Sequence, residues 1–197
     1  MCSSDLCCLI LAIPFYVFGA LQMKCISVNG SGGVTLNWVN TSSSVLFRSY
    51  HIYHANTTAG PYVLIDSITS YSTQSYLDVN ANANSINAFY YVTLNNTNGS
   101  VETGDTLRAI RLNVIDPGDG YASLIWNGTH TPPVSSNSVY NLVFREYPTG
   151  TFTLIDSIDA SLTTLNYLDE ISICGDTVSY RIEIQDASGC RSVSSVD

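Results

Sequence analysis

Residues 62–78 run YVLIDSITSYSTQSYLD, and residues 152–169 run FTLIDSIDASLTTLNYLD. LIDSI returns after 90 residues and YLD after 91. Working outward from this pair brings the rest into line. VTLNW (34–38) matches ASLIW (122–126), YHIYH (50–54) matches YNLVF (140–144), and FYYVTL (89–94) matches SYRIEI (179–184). Gly99 matches Gly189, and all separations stay between 88 and 91 residues. Self-similarity at a fixed period indicates two copies of one supersecondary unit.

The unit reads as all-β. Val34, Leu36 and Trp38 alternate with Thr35 and Asn37; Tyr90, Val92 and Leu94 alternate with Tyr91 and Thr93; Tyr180, Ile182 and Ile184 alternate with Arg181 and Glu183. Period two places one face on a core and the other in water. Breakers such as NGSGG, DPGDG and NTNG fall between the strands, where glycine supplies the positive φ of a tight turn. Seven short strands per copy, with no helical stripe, predict a seven-stranded β-sandwich in each of residues 23–107 and 108–197. LIDSI becomes the fourth strand and YLD the fifth. Strict alternation would put Leu64, Asp66 and Ile68 on one face, Ile65 and Ser67 on the other. Asp66 and Asp156 then read as edge-strand acids that discourage sheet-to-sheet association. The connection GDTLRAIRL (104–112) has no flexible Gly/Ser run, so the copies are expected to form a stiff rod.

A Trp ending the second strand, a Tyr-x-hydrophobic third strand and a Tyr-x-Val-x-Leu sixth strand resemble the fibronectin type III pattern, an immunoglobulin-like fold. The resemblance implies core positions for Trp38, Tyr50 and Tyr90 in copy one and for Trp126, Tyr140 and Tyr180 in copy two. The phrases GPYVLIDSI, DPGDGYASLIWNGTHTPP, REYPTGTFTLIDSI and YRIEIQDASGCRSVSSVD further resemble the tandem region of gliding-motility-associated Bacteroidota surface proteins, exported by the type IX secretion system. That likeness implies an N-terminal fragment of a longer surface or secreted protein, followed by further modules and a sorting domain. The triplets beginning at Asp66, Asp105, Asp156 and Asp176 resemble the O-glycosylation acceptor of that phylum, which would modify Ser67, Thr106, Ser157 and Thr177.

Composition agrees with export. Of 197 residues, 45% are hydrophobic and 12% charged, with a formal net charge of −9. Such a surface lacks the clustered cations that nucleic acid or anionic lipid requires. Residues 1–20 carry an apolar run ending in Ala20, which predicts a cleaved signal peptide despite the missing N-terminal positive charge. Cys25, Cys174 and Cys190 remain after its removal, an odd number for an exported chain. About eight strand residues, roughly 25 Å, should separate Cys174 from Cys190, and Cys25 lies a domain away. Two cysteines in one exported module usually pair, so the expected bridge, if one forms, is Cys174–Cys190, with Cys174 folding back along the sheet.

A search for reactive chemistry returns little. His51 and His54 are three apart on a strand and point to opposite faces, and no nucleophile motif or phosphate loop occurs. The expectation is no enzyme, no cofactor and no metal. The loop NGTHTPPVSSNSV, with His130, Thr131, Pro132 and Pro133, is the candidate contact surface. Tyr71, Tyr76 and Tyr121 are the loose candidates for a sugar-stacking platform. The reading is a non-catalytic scaffold or adhesion segment, monomeric within a longer chain. Its expected partners are other surface proteins or extracellular glycans, with no nucleic acid and no membrane contact beyond the signal segment. The alternative is an accessory spacer or carbohydrate-binding region of a secreted polysaccharide-degrading enzyme.

Overall fold

A computed structural model describes residues 21–118, 120–129, 140–160, 162, 164–173, 176–185 and 189–197. In copy one, β1 (Gln22–Val28), β2 (Val34–Val39) and β5 (Ser75–Asp78) form one sheet, with β2 central. β3 (Phe47–Ala55), β4 (Val63–Ile68), β6 (Phe89–Asn96) and β7 (Val101–Thr103) form the facing sheet in the order β4-β3-β6-β7, and β8 (Leu107–Arg108) extends the pairing on β6. Copy two repeats the plan. There β9 (Leu112–Ile115), β10 (Tyr121–Trp126) and β13 (Leu165–Glu170) face β11 (Tyr140–Glu146), β12 (Phe152–Asp159), β14 (Ser179–Gln185) and β15 (Arg191–Val193), the latter in the order β12-β11-β14-β15. The chain is therefore all-β, two tandem fibronectin type III-like sandwiches.

Each sandwich closes on its own core. Val34, Leu36 and Trp38 of β2 meet Tyr50, Ile52, Tyr90, Val92 and Leu94 from the opposite sheet. In copy two, Leu124 and Trp126 meet Val143, Tyr180 and Ile182. Trp38 and Tyr50 pack edge to face at 5.4 Å between centroids. Rings of this size bury about 150–250 Å² each, which contributes roughly 4–6 kcal/mol per ring. The hairpin from β1 to β2 turns on Gly32, whose φ is +83°. There the Asn29 side chain accepts the Ser31 and Gly33 amides at 3.0 and 2.9 Å.

The repeated LIDSI phrase departs from strict alternation, and the reason is a β-bulge. Ile52 pairs with Asp66 but its neighbour Tyr53 pairs with Leu64, leaving Ile65 unmatched. Val143 and Phe144 treat Asp156 and Leu154 the same way, leaving Ile155 unmatched. The extra residue turns Ile65 and Ile68, and likewise Ile155 and Ile158, toward the cores. Each acid points out and accepts the next amide, Ser67 at 2.6 Å and Ser157 at 2.7 Å. The phrase thus encodes a bulged edge strand that carries an exposed acid, and both features resist edge-to-edge pairing.

One core assignment is corrected. Tyr140 is 59% exposed and lies outside the second core. β3 pairs Tyr50 with Leu94 and His54 with Tyr90; β11 pairs Asn141 with Ile184 and Arg145 with Tyr180. The structural counterpart of YHIYH is therefore NLVFR (141–145), one residue beyond the sequence match. A slip of one residue exchanges the two faces of a strand. Asn141, fully buried, takes the place of Tyr50 and accepts the Trp126 indole N–H at 3.0 Å.

The hand-over between copies is abrupt. Leu107 and Ala109 belong to the first core and Ile110 to the second. The Ala109 amide donates to Ala88 of copy one, while the Ile110 carbonyl accepts from Ser195 of copy two.

Candidate functional site

The copies meet along a seam as well as at the connection. Cys25 of β1 and Cys190, at the entry to β15, form a disulfide with Cα atoms 5.7 Å apart. This overturns the expected Cys174–Cys190 bridge; Cys174 itself lies outside the described residues. The premise that Cys25 sits a domain away assumed end-to-end copies, whereas β1 runs beside β15. Serines stitch the two strand edges. The Ile26 amide donates to Ser192 Oγ at 3.1 Å, the Val193 amide donates to Ser27 Oγ at 3.2 Å, and Ser27 Oγ donates to the Arg191 carbonyl at 2.9 Å. Two exposed edges are thereby covered, and the N-terminal strand of copy one is covalently tied to the last strand of copy two.

Inside each sandwich the YLD phrase serves a polar contact. Asp78 accepts the Tyr90 hydroxyl at 2.8 Å, and Asp169 accepts that of Tyr180 at 2.7 Å. All four residues are buried. Burial, first, and the aspartate partner push both phenols well above the usual tyrosine range. The cross-strand neighbour of the tyrosine differs between copies. In copy two Arg145 donates to Asp169 at 2.9 Å, forming an ion pair. In copy one His54 stands at that place, its ring 4.8 Å from that of Tyr90. Burial holds the His54 imidazole below its ordinary pKa, with Asp78 drawing it partly back.

This depression has a direction for stability. An unfolded histidine titrates near about 6.5. With the folded value lower, the unfolded chain takes up the proton first, so His54 costs nothing at alkaline pH and destabilises the fold as pH falls through that value. The melting temperature of the wild type should therefore fall more steeply on acidification from about pH 7.5 to 5.5 than that of His54→Leu. Parallel curves would refute the assignment.

The outer face of the larger sheet in copy one carries a run of rings. Tyr62 lies 5.0 Å from Tyr91, Tyr91 stacks on Tyr53 at 4.7 Å, and Tyr53 lies 6.4 Å from His51. All four are half-buried. Burial and the two neighbouring phenols raise the Tyr91 pKa. Beside His51 opens a cavity of about 260 Å³ between Arg48, Asn95, Asn96, Ser100 and Val101. Copy two fills the corresponding face differently. Arg181, at the place of Tyr91, lies 4.2 Å over Phe152 and 5.1 Å over Phe144, and is paired with Glu183 at 2.8 Å.

The residues singled out from sequence are distributed as follows. His130, Thr131, Pro132 and Pro133 lie outside the described residues. Ser67, Ser157 and Thr177 are exposed and Thr106 is half-buried. Trp38, Tyr50, Tyr90, Trp126 and Tyr180 are buried. Tyr71 is no platform: its hydroxyl donates to the Ser42 carbonyl at 2.6 Å, its carbonyl accepts from Tyr50, and its ring packs on Phe47. Tyr76 packs against the first core, and Tyr121 sits on β10 opposite Glu170. Among the described residues no three His, Cys, Asp or Glu side chains converge as metal ligands would. Tyr53, Tyr62 and Tyr91 were not singled out. Their signal was present in the alternation, which already sends Tyr91 to the solvent face of β6.

No family model and no curated protein sequence matches this chain. Among solved structures it is similar to a fibronectin type III-like protein from Clostridium thermocellum, at 21% identity and a TM-score of 0.37, over 46% of this chain and 90% of that one. It is also similar to the pectate lyase Pel3 from Pectobacterium carotovorum, at 16% identity and a TM-score of 0.38, over 52% of this chain and 28% of the lyase. A third likeness is to the FN1–FN3 domains of chicken CNTN1, at 11% identity and a TM-score of 0.34, over 91% of this chain and 64% of that fragment. Likenesses at this level say nothing of ligand or activity. The fold assignment stands on strand order and register.

Proposed function

We propose that this chain is a non-catalytic scaffold segment of an exported bacterial surface protein, of the gliding-motility-associated, type IX-secreted kind that its phrases resemble. One observation carries the reading. The Cys25–Cys190 bond ties the first strand of one copy to the last strand of the other, and such bonds persist in oxidising compartments outside the cytosol. A covalently clamped pair of sandwiches holds whatever is joined to its ends at a fixed spacing. Its partners on this reading are other surface proteins or extracellular glycans, with one copy of the chain acting alone within a longer polypeptide. The alternative, an accessory region of a secreted polysaccharide-degrading enzyme, is favoured by the aromatic face of copy one. Gene sequence beyond Asp197 separates the two: further sandwiches and a sorting domain support the scaffold, a catalytic domain the accessory region.

Export is tested in the source cells. Membrane-impermeant biotinylation of intact cells should label this chain, and a non-reducing peptide map should return the Cys25–Cys190 peptide. Recovery in the cytoplasmic fraction with both thiols free would sink the proposal.

A further inference from the structure

We propose that the outer face of copy one is a glycan-binding site, in which Tyr62, Tyr91 and Tyr53 supply an apolar wall and the cavity beside His51 receives a pyranose ring. A pyranose presents C–H faces and hydroxyl edges, so it is recognised by aromatic carbon alongside small polar groups. Both lie here in one continuous strip. The rings follow one another at 5.0, 4.7 and 6.4 Å and end at His51, which also lines the cavity. The Tyr53 and Tyr91 hydroxyls make no hydrogen bond among the described residues, and are available to sugar hydroxyls. The cavity, about 260 Å³, is lined by Arg48, Asn95, Asn96 and Ser100. The Asn95 and Asn96 amide nitrogens are held by Ser49, Thr93 and Ser100, which leaves their side-chain oxygens and the Arg48 guanidinium to meet sugar hydroxyls. Ser49 Oγ, 3.1 Å from His51 Nε2, steadies the imidazole. The volume suits one sugar unit at the end of a chain laid along the rings, below the usual span of about 300–1,000 Å³ for drug-sized ligands.

Copy two is an internal contrast on the same framework. Phe152, Arg181, Phe144 and Leu142 replace Tyr62, Tyr91, Tyr53 and His51, and there the protein's own guanidinium occupies the ring faces. One face is satisfied from within; the other presents hydroxyl-bearing rings and an open polar cavity. The physiological meaning of the site rests on the exported location proposed above. Binding is measured on purified protein and export on cells, so either can fail without the other.

The test is titration of the ¹⁵N-labelled mature protein with cellohexaose, xylohexaose, laminarihexaose, chitohexaose and an oligogalacturonate, each at millimolar concentration. At least one should shift amide signals of β3 and β6 in copy one. Tyr91→Arg, which copies the second sandwich, and Arg48→Ala, at an exposed position, should each weaken that binding about tenfold or more with the spectrum still folded. Absence of shifts with every saccharide, shifts confined to copy two, or unchanged binding in both variants would overturn the site.

Discussion

Stretched between handles at residues 21 and 197, the oxidised protein should release almost no length before the chain itself is taut. The disulfide joins residues separated by 165 positions, so tension entering at the N-terminal strand passes directly to the C-terminal one. The interior of both sandwiches is bypassed. After reduction, or in Cys25→Ser, the same pull should release roughly 560 Å of contour, at about 3.4 Å per extended residue. The order of events also follows. The serine seam should part first, because three hydrogen bonds at about 0.5–1.5 kcal/mol each oppose the load there, against whole antiparallel ladders and buried rings within each sandwich. At equilibrium the loss of so long a closed loop should lower stability by about 5 kcal/mol in the chain-entropy limit. Force spectroscopy under oxidising and reducing conditions checks the first, urea unfolding the second. Long extensions from the oxidised protein would contradict the clamp.

The two-copy plan was legible because sandwiches advertise themselves locally: Val34 to Trp38 and Ala122 to Trp126 alternate cleanly, and turns fall at glycines. What escaped involved register and the contact between copies. An inserted residue at Ile65 and Ile155 shifts the phase of a strand without changing its composition, so LIDSI looks like plain alternation. Tyr140 and Asn141 sit side by side, and a likeness of letters favoured the aromatic although the smaller polar residue fits beside the Trp126 N–H. The disulfide was missed for a different physical reason. Periodicity describes what each strand buries within its own sandwich and carries no term for lateral packing of one sandwich on another. In the tail SVSSVD, Ser192 accepts the Ile26 amide of copy one, whereas Ser194 and Ser195 are buried within copy two and accept the Ile182 and Leu112 amides, so their polarity alone did not distinguish the two kinds of contact. The aromatic strip stayed hidden because Tyr53, Tyr62 and Tyr91 come together only through the pairing of β3 with β6 and the adjoining turn.

Removing the carboxylate of the YLD phrase should destabilise either copy substantially. In Asp78→Ala the Tyr90 hydroxyl, fully buried, loses its acceptor, and the Asn80 amide loses the other oxygen. Hydrogen bonds to a charged group contribute about 1.5–3 kcal/mol, and a stranded buried donor costs a similar amount; a loss of about 2–3 kcal/mol is expected. Asp169→Ala strands Tyr180 and also Arg145. Breaking a fully buried pair costs about 3–5 kcal/mol, but Arg145 is 27% exposed and regains water, which places the expected loss near the bottom of that range, about 3 kcal/mol. A double-mutant cycle separates the contact from the cavity. Tyr90→Phe should be destabilising in the wild type and close to neutral in the Asp78→Ala background, since the hydroxyl it deletes no longer has a partner. Urea unfolding of the four proteins supplies the numbers. Equal costs in both backgrounds would mean that the aspartate supports the sheet by some route other than the tyrosine, and that the repeated YLD marks register alone.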